Sequence, residues 1–176
     1  KKEFDLSIIN DKSDIHDSLL LNNCIYKISE ASHFVDDLDT LYKTIHKALS
    51  DILYTKNFYI AMADWENNLI HFPYFVDQYD ETPSSKEIEN GLTEYILKNG
   101  EAILVNPLQF ESLGNSKNIN IQGKKFVDWL GVPLKIKSDK TIGAVVIQSY
   151  DKKIRFSEED QKILQFVSDQ IAMAIK

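Results

Sequence analysis

Residues 128–150 read DWLGVPLKIKSDKTIGAVVIQSY. Both halves are rich in apolar and β-branched residues, and the polar SDKT at 138–141 separates them. That is the pattern of two strands joined by a short turn. The first half is odd for a strand, because Trp129, Gly131 and Pro133 stand inside it. A reading of the fold has to say why an extended segment carries a bulky ring, a glycine and a proline.

Working outward, the next element downstream is SEEDQKILQFVSDQIAMAIK at 157–176. Ser157 and Asp160 have the spacing of a helix cap pair, and Ile163, Leu164, Val167, Ile171, Ala174 and Ile175 form an apolar stripe. Upstream, 107–125 has little pattern and contains Gly114 and Gly123, so it reads as a long loop with a helical turn, a kind of segment often tied to function. EAILVN at 101–106 is a short strand. GLTEYILKNG at 91–100 is a short helix bracketed by glycines, Gly100 serving as its stop. QYDETPSSKEIEN at 78–90 is a polar loop.

KNFYIAMAD at 56–64 and LIHFPYFVD at 69–77 flank the turn WENN, which predicts a hairpin. Pro73 cannot donate to the ladder and marks an edge or a bulge. Residues 36–54 place Leu38, Leu41, Tyr42, Ile45, Leu49 and Ile52 at helical spacing, with Asp36 or Asp37 as N-cap. Residues 13–33 form a further helix with two stripes: Leu21, Cys24, Ile25 and Ile28, and then Ile15, Leu19 and Tyr26. Two stripes imply either two partners, the domain and another helix, or one wide core face. The order α-α-β-β-α-β-loop-β-β-α predicts an α+β fold: a central, mostly antiparallel sheet of five to six strands. The N- and C-terminal helices would cover one face, and the short helix with the long loop the other. Five strands are evident, and a sixth is expected from 107–125. A sheet covered in this way encloses a concave space.

The chain of 176 residues has 43% apolar and 27% charged residues, an ordinary globular balance. Its net charge of −7 argues against a nucleic-acid partner, whose footprint is basic. One cysteine, Cys24, excludes an internal disulfide and fits a reducing, cytoplasmic setting. No run of about 18 apolar residues is present, so no membrane span is expected. The opening KKEFDLSIIN lacks a signal-peptide core and begins with Lys, as a piece of a longer protein would.

GLTEYILKNGEAILVN, WLGVPLKIKSDKTIGAVVIQSY and FSEEDQKILQFVSDQIAMAI, in that order, resemble the GAF domain family over roughly 37–176, with 1–36 as an N-terminal extension and signalling helix. NFYIAMADWENNLIHFPYFVDQYDETP is similar to a bacterial subgroup found beside PAS, histidine-kinase and diguanylate-cyclase domains. The resemblance implies a six-stranded sheet and a small-molecule pocket, usually in a dimeric signalling protein. It makes the GVPL strand central and adjacent to the cavity. Gly131 then admits a close approach, Pro133 marks a bulge and Trp129 faces or caps the pocket.

The resemblance also suggests ligand classes to test. Some members carry an Asn-Lys, Phe, Asp-Glu signature. Here Asp151-Lys152, Phe156 and Asp160-Gln161 stand in its place, which weakens a cyclic-nucleotide reading and leaves Lys152 and Asp160 as a structural clasp between loop and helix. A lone helical cysteine does not suit chromophore attachment, nor a sulfoxide reductase needing a nucleophile and a resolving thiol. His16, His33, His46 and His71 lack paired metal-ligand spacing. His46 flanks the apolar stripe of its helix and reads as structural. No phosphate loop, G-x-S-x-G or H-E-x-x-H occurs. The acidic pairs Asp36-Asp37 and Glu158-Glu159 fit helix starts.

What remains is an aromatic wall drawn from Tyr59, Phe72, Tyr74, Phe75, Tyr95 and Trp129. Strand alternation puts about half on one side. Phe72, Tyr74, Tyr95 and Trp129 are the expected pocket residues, with His71 as the one histidine to join them. The expected function is a non-catalytic sensory module with an unidentified ligand and no assigned cofactor. It would homodimerise through its terminal helices and feed an output domain in the same chain. The alternative is a ligand-free structural dimerisation module.

Overall fold

The computed structural model describes residues 6–117, 119–121, 123–137 and 140–176. Helix α1 (Leu6–Phe34) precedes α2 (Leu38–Ser50) and the hairpin of β1 (Asn57–Asp64) and β2 (Leu69–Val76). A two-residue strand β3 (Lys86–Glu87), helix α3 (Leu92–Asn99), strand β4 (Ile103–Val105) and helix α4 (Pro107–Lys117) follow. Strands β5 (Asp128–Ile136) and β6 (Lys140–Ser149) then lead into α5 (Glu158–Ile175). The described strands form one antiparallel sheet in the order β3-β2-β1-β6-β5-β4.

The expected α+β architecture is therefore present, with one correction. The sixth strand is Lys86–Glu87, inside the expected loop, and 107–125 supplies α4 instead. Two residues in a polar stretch carry no alternation to detect, whereas Asn106 opens α4 by accepting from the Leu108 and Gln109 N–H groups at 3.0 Å each. The tip of the β5–β6 turn, 138–139, and the first five residues lie outside the described residues.

Local chemistry sets the helix ends. Asp37 caps α2, its carboxylate accepting from the Thr40 N–H at 2.8 Å. Ser157 and Asp160 make a full capping box on α5. Gly100 ends α3 in the left-handed conformation, φ 65°. On the helical face of the sheet, Leu130, Val132 and Leu134 of β5 and Val145 and Ile147 of β6 meet Leu164, Val167 and Ile171 of α5. Each of those buried branched side chains contributes about 1.5–3 kcal/mol relative to exposure. Cys24 and Ile28 of α1 join the same core, which fixes α1 against α2 and α5. Of the second stripe of α1, Leu19 and Tyr26 are exposed and stay outside that core, and the Ile15 side chain lies outside the described residues.

The opposite face of the sheet carries Tyr59, Ala61, Ile70, Trp129, Ala144 and Val146, packed against Leu92, Ile96 and Leu97 of α3. Gly131 answers the opening question. A Cβ there would collide with the Ile96 side chain and the Trp129 ring, so the glycine lets helix and indole close over the strand. Pro133 does not mark a bulge. It pairs opposite Ala144, and the register shift falls one step later, between Leu134 and Lys135. Pro133 lies past the last β4 pair, Ile103 opposite Gly131, where β5 has an open side that needs no N–H.

Pro73 does sit at a bulge. Ile60 pairs with Tyr74 and Met62 with His71, so Phe72 and Pro73 together oppose Ala61. The extra residue reverses the alternation along β2. Ile70, Phe72 and Phe75 belong to the α3 side of the sheet, while Tyr74 belongs to the helical core of α1, α2 and α5.

Candidate functional site

Between the α3 side of the sheet and the surrounding loops lies an open cleft of about 1160 Å³. Its floor is Tyr59 of β1, Phe72 and Phe75 of β2, Trp129 of β5 and Gln148 of β6. One lip is the 80–91 segment with β3, the other is formed by 119–121 and 123–126, and the N-terminus of α3 forms the end wall. The floor is an aromatic array. Tyr59 stacks on Phe75 with centroids 5.1 Å apart, and Phe72 stands edge-on to both at 5.9 and 6.3 Å.

Polar groups enter at fixed points. The Tyr59 hydroxyl and Thr93 Oγ1 share a hydrogen bond of 2.8 Å. Burial pushes the Tyr59 phenol far above its usual pKa, against which hydrogen bonds with Thr93 and Trp129 act. Glu94, one residue further along α3, has a side chain only 4% exposed. Lys86 Nζ lies 3.0 Å from its Oε1, yet that oxygen receives no hydrogen bond. The ammonium is close enough for an ion pair but not aligned as a donor. Gly91 leaves the room the carboxylate occupies, since a Cβ at that position would displace the Glu94 carboxylate.

The lips are pinned to each other and to the sheet. Asp77 Oδ2 accepts from Gln148 Nε2 at 2.9 Å and from the Tyr150 hydroxyl at 2.8 Å. Burial, and then the bond to Asp77, hold the Tyr150 phenol protonated well above its ordinary range. Asp80 accepts from the Lys124 N–H at 3.0 Å, and Gly123, φ 87°, leaves the room Asp80 needs.

The expected site residues divide. Phe72 and Trp129 line the cleft. Tyr74 is on the other face, because the bulge at Pro73 breaks the strict alternation that would have grouped it with Phe72. There its hydroxyl meets His46 Nδ1 at 2.8 Å, while His46 Nε2 lies 2.6 Å from the Thr55 carbonyl. A carbonyl only accepts, so Nε2 carries the hydrogen and Nδ1 accepts from Tyr74. Tyr95 is on α3, half-buried and off the cleft lining. His71 pairs opposite Met62 and bonds Ser85 Oγ at 2.6 Å, also off the lining itself. Tyr59 and Phe75 take the wall positions expected of Tyr74 and Tyr95. Nothing in the local sequence marks Glu94, Thr93 or Lys86. A glutamate in the first turn of a helix is ordinary, and only its burial makes it unusual. Among the described residues no group of three His, Cys, Asp or Glu side chains is arranged to hold a metal ion.

The sequence pattern of the GAF domain family matches residues 35–176. The chain belongs to the GAF domain family. Solved structures share this fold at low identity. The GAF domain of an Acinetobacter phosphoenolpyruvate-protein phosphotransferase superposes with a TM-score of 0.69 at 16% identity, covering 88% of this chain and 92% of that one. Residues 122 to 287 of a methyl-accepting chemotaxis protein give 0.68 at 15%, covering 84% and 94%. Free methionine-R-sulfoxide reductase from Neisseria meningitidis, in complex with its substrate, gives 0.67 at 12%, covering 88% and 87%. A sequence comparison with curated proteins finds no match.

In this GAF domain the clasp between sheet and last helix is not Lys152 with Asp160. Asp160 Oδ2 accepts from the Ser157 N–H at 2.8 Å within the capping box, and Lys152 is an exposed turn residue. The tie is made by Asp128 and Arg155. Arg155 Nε lies 3.0 Å from both Asp128 oxygens, Nη2 lies 2.9 Å from Oδ1, and the Phe156 N–H donates to Oδ2 at 2.8 Å. Among the described residues no helix is long and apolar enough to cross a membrane.

Proposed function

We propose that this GAF domain is a non-catalytic regulatory module of a cytoplasmic signalling protein, which takes a small molecule in the cleft and passes its effect through α1 and α5 to an output domain in the same chain. The observation that carries this is the cleft itself: an aromatic floor with a few polar groups fixed at one end, the usual build of a small-molecule site. Coupling follows from β5 and β6. Trp129 faces the cleft while its neighbour Leu130 packs in the helical core beside α5, so a shift of the strand is felt on both sides. The bound state would need a different helix arrangement with a different ligand affinity, since equal affinity shifts nothing.

A role without catalysis is supported by the position of the chain's one thiol. Cys24 lies across the sheet from the cleft, buried in the helical core, its pKa pushed up to about 11 by burial. The phosphotransferase GAF domain and the chemotaxis-protein segment of like fold are consistent with a signalling context.

A thermal-shift screen with nucleotides, haem and small organic acids and amines tests the reading. A compound that raises the midpoint in the wild type and not in Trp129→Ala supports it. No shift from any compound, together with a folded wild type, contradicts it.

The second reading, a ligand-free dimerisation module, has its own support. Leu19 and Tyr26 on α1, and Phe166 and Met173 on α5, are exposed and stand seven residues apart in each helix. Heptad spacing of that kind suits a parallel helix partner. Sedimentation of the wild type against Phe166→Lys reads it directly. A dimer lost in the variant with no ligand response in the screen favours this reading.

A further inference from the structure

We propose that the cleft ligand carries a protonated amine, that Glu94 is the group that receives it, and that Lys86 is a tethered ammonium holding that place in the ligand-free domain. The inference rests on the small-molecule reading above and names the ligand's chemistry.

A glutamate in the first turn of a helix ordinarily reaches solvent or turns back on the helix N-terminus. Glu94 turns back over Gly91, which explains where the carboxylate lies but not why it is buried. Its Oε1 is shielded from water, and although its charge is paired the oxygen receives no aligned hydrogen bond, so its accepting capacity is left unused. What covers it is Lys86 Nζ, at 3.0 Å and misaligned. A cation is thus accommodated at this oxygen without its hydrogen-bonding capacity being used. A ligand ammonium, free of a backbone tether, can align where Lys86 does not.

Lys86 is built to leave. It belongs to a two-residue edge strand held by pairings to Leu69 and Ile70, and its side chain is 39% exposed. A long, half-exposed lysine swings into water at little cost. The rest of the cleft favours a cation in its place. The lining carboxylates are Asp80, Glu81, Glu89 and Glu94, and the lining lysines are Lys86 and Lys98. Lys98 already donates to the Glu89 carbonyl. The resulting field is negative, and the floor of Tyr59, Phe72 and Phe75 offers ring faces that attract cations and pack an aromatic or alkyl body.

The test uses three probes of one shape: phenethylamine, 2-phenylethanol and 3-phenylpropionate. Each is titrated into protein labelled with 5-fluorotryptophan, reading the fluorine resonance of Trp129 and the melting midpoint. Phenethylamine is expected to shift both saturably, with the alcohol and the acid at least tenfold weaker. Glu94→Gln keeps the shape of the side chain and is expected to weaken the amine tenfold or more. Lys86→Met removes the resident ammonium and is expected to tighten the amine severalfold, a change that a merely structural ion pair would not produce. Equal binding of the alcohol, preference for the acid, or an unchanged or weaker amine in Lys86→Met overturns the inference while leaving a cleft ligand in place. Silence from all three probes overturns it too. The broader reading falls only if the full screen in the previous section is also silent.

Discussion

Arg155 holds Asp128 through both of its carboxylate oxygens, and the backbone N–H of Phe156 completes the grip. Asp128 opens β5 and is 2% exposed at its side chain, while Arg155 lies in the segment just before α5. The pair ties the strand beside the cleft to the helix proposed to carry the signal.

Removing Asp128 leaves the Phe156 N–H without its acceptor and frees the loop. Asp128→Ala is expected to cost about 1–3 kcal/mol in urea denaturation. Arg155→Ala strands a buried carboxylate and is also expected to destabilise. Lys152→Ala, by contrast, is expected to fall within about 0.5 kcal/mol of the wild type. Equal losses at Lys152 and Asp128 would restore the clasp expected from the sequence.

Gly131 has no room for a methyl group between Ile96 and Trp129. Gly131→Ala is expected to cost about 1–3 kcal/mol through overpacking and to change the Trp129 fluorescence spectrum, because the ring must move. A variant as stable as the wild type with an unaltered spectrum would show that the strand and α3 are not in contact there.

His46 makes a pH prediction with a definite sign. Burial lowers its pKa, against the opposing effect of the Thr55 carbonyl. The unfolded chain therefore binds a proton near the ordinary histidine value of about 6.5 before the folded domain does. This contribution to stability is full above that value and is lost as pH falls through the depressed folded pKa. Protonation also removes the lone pair that accepts from Tyr74. Denaturation midpoints measured from pH 7.5 to pH 5 should fall in the wild type and fall less steeply in His46→Gln. Parallel profiles would contradict this.

The fold was readable because most elements announce themselves: β5 and β6 by apolar runs, α5 by its cap pair and stripe, α3 by its bracketing glycines. β3 was not, since two residues have no period, and its pairing to Leu69 and Ile70 is purely tertiary. The cleft was half readable. Phe72 and Trp129 follow from strand membership, but Tyr74 was misplaced because one bulged residue at Pro73 inverts everything after it. Glu94 cannot be distinguished in the sequence from an ordinary helix-start acid, because what sets it apart is the burial of its side chain against the sheet, which no local spacing signals.

The small molecule proposed for the cleft would lie over Tyr59, Phe72 and Trp129. The chain's two tryptophans provide the test, since Trp65 lies at the far turn with its indole N–H on the Thr141 carbonyl, outside the cleft. Fluorine resonances of both should be followed while the 5-fluorotryptophan-labelled domain is titrated with the compounds from the thermal screen. A saturable shift of Trp129 with Trp65 unmoved is expected, and its loss in Phe72→Ala. Compounds that stabilise the domain while leaving Trp129 still, or moving Trp65 alone, would contradict it.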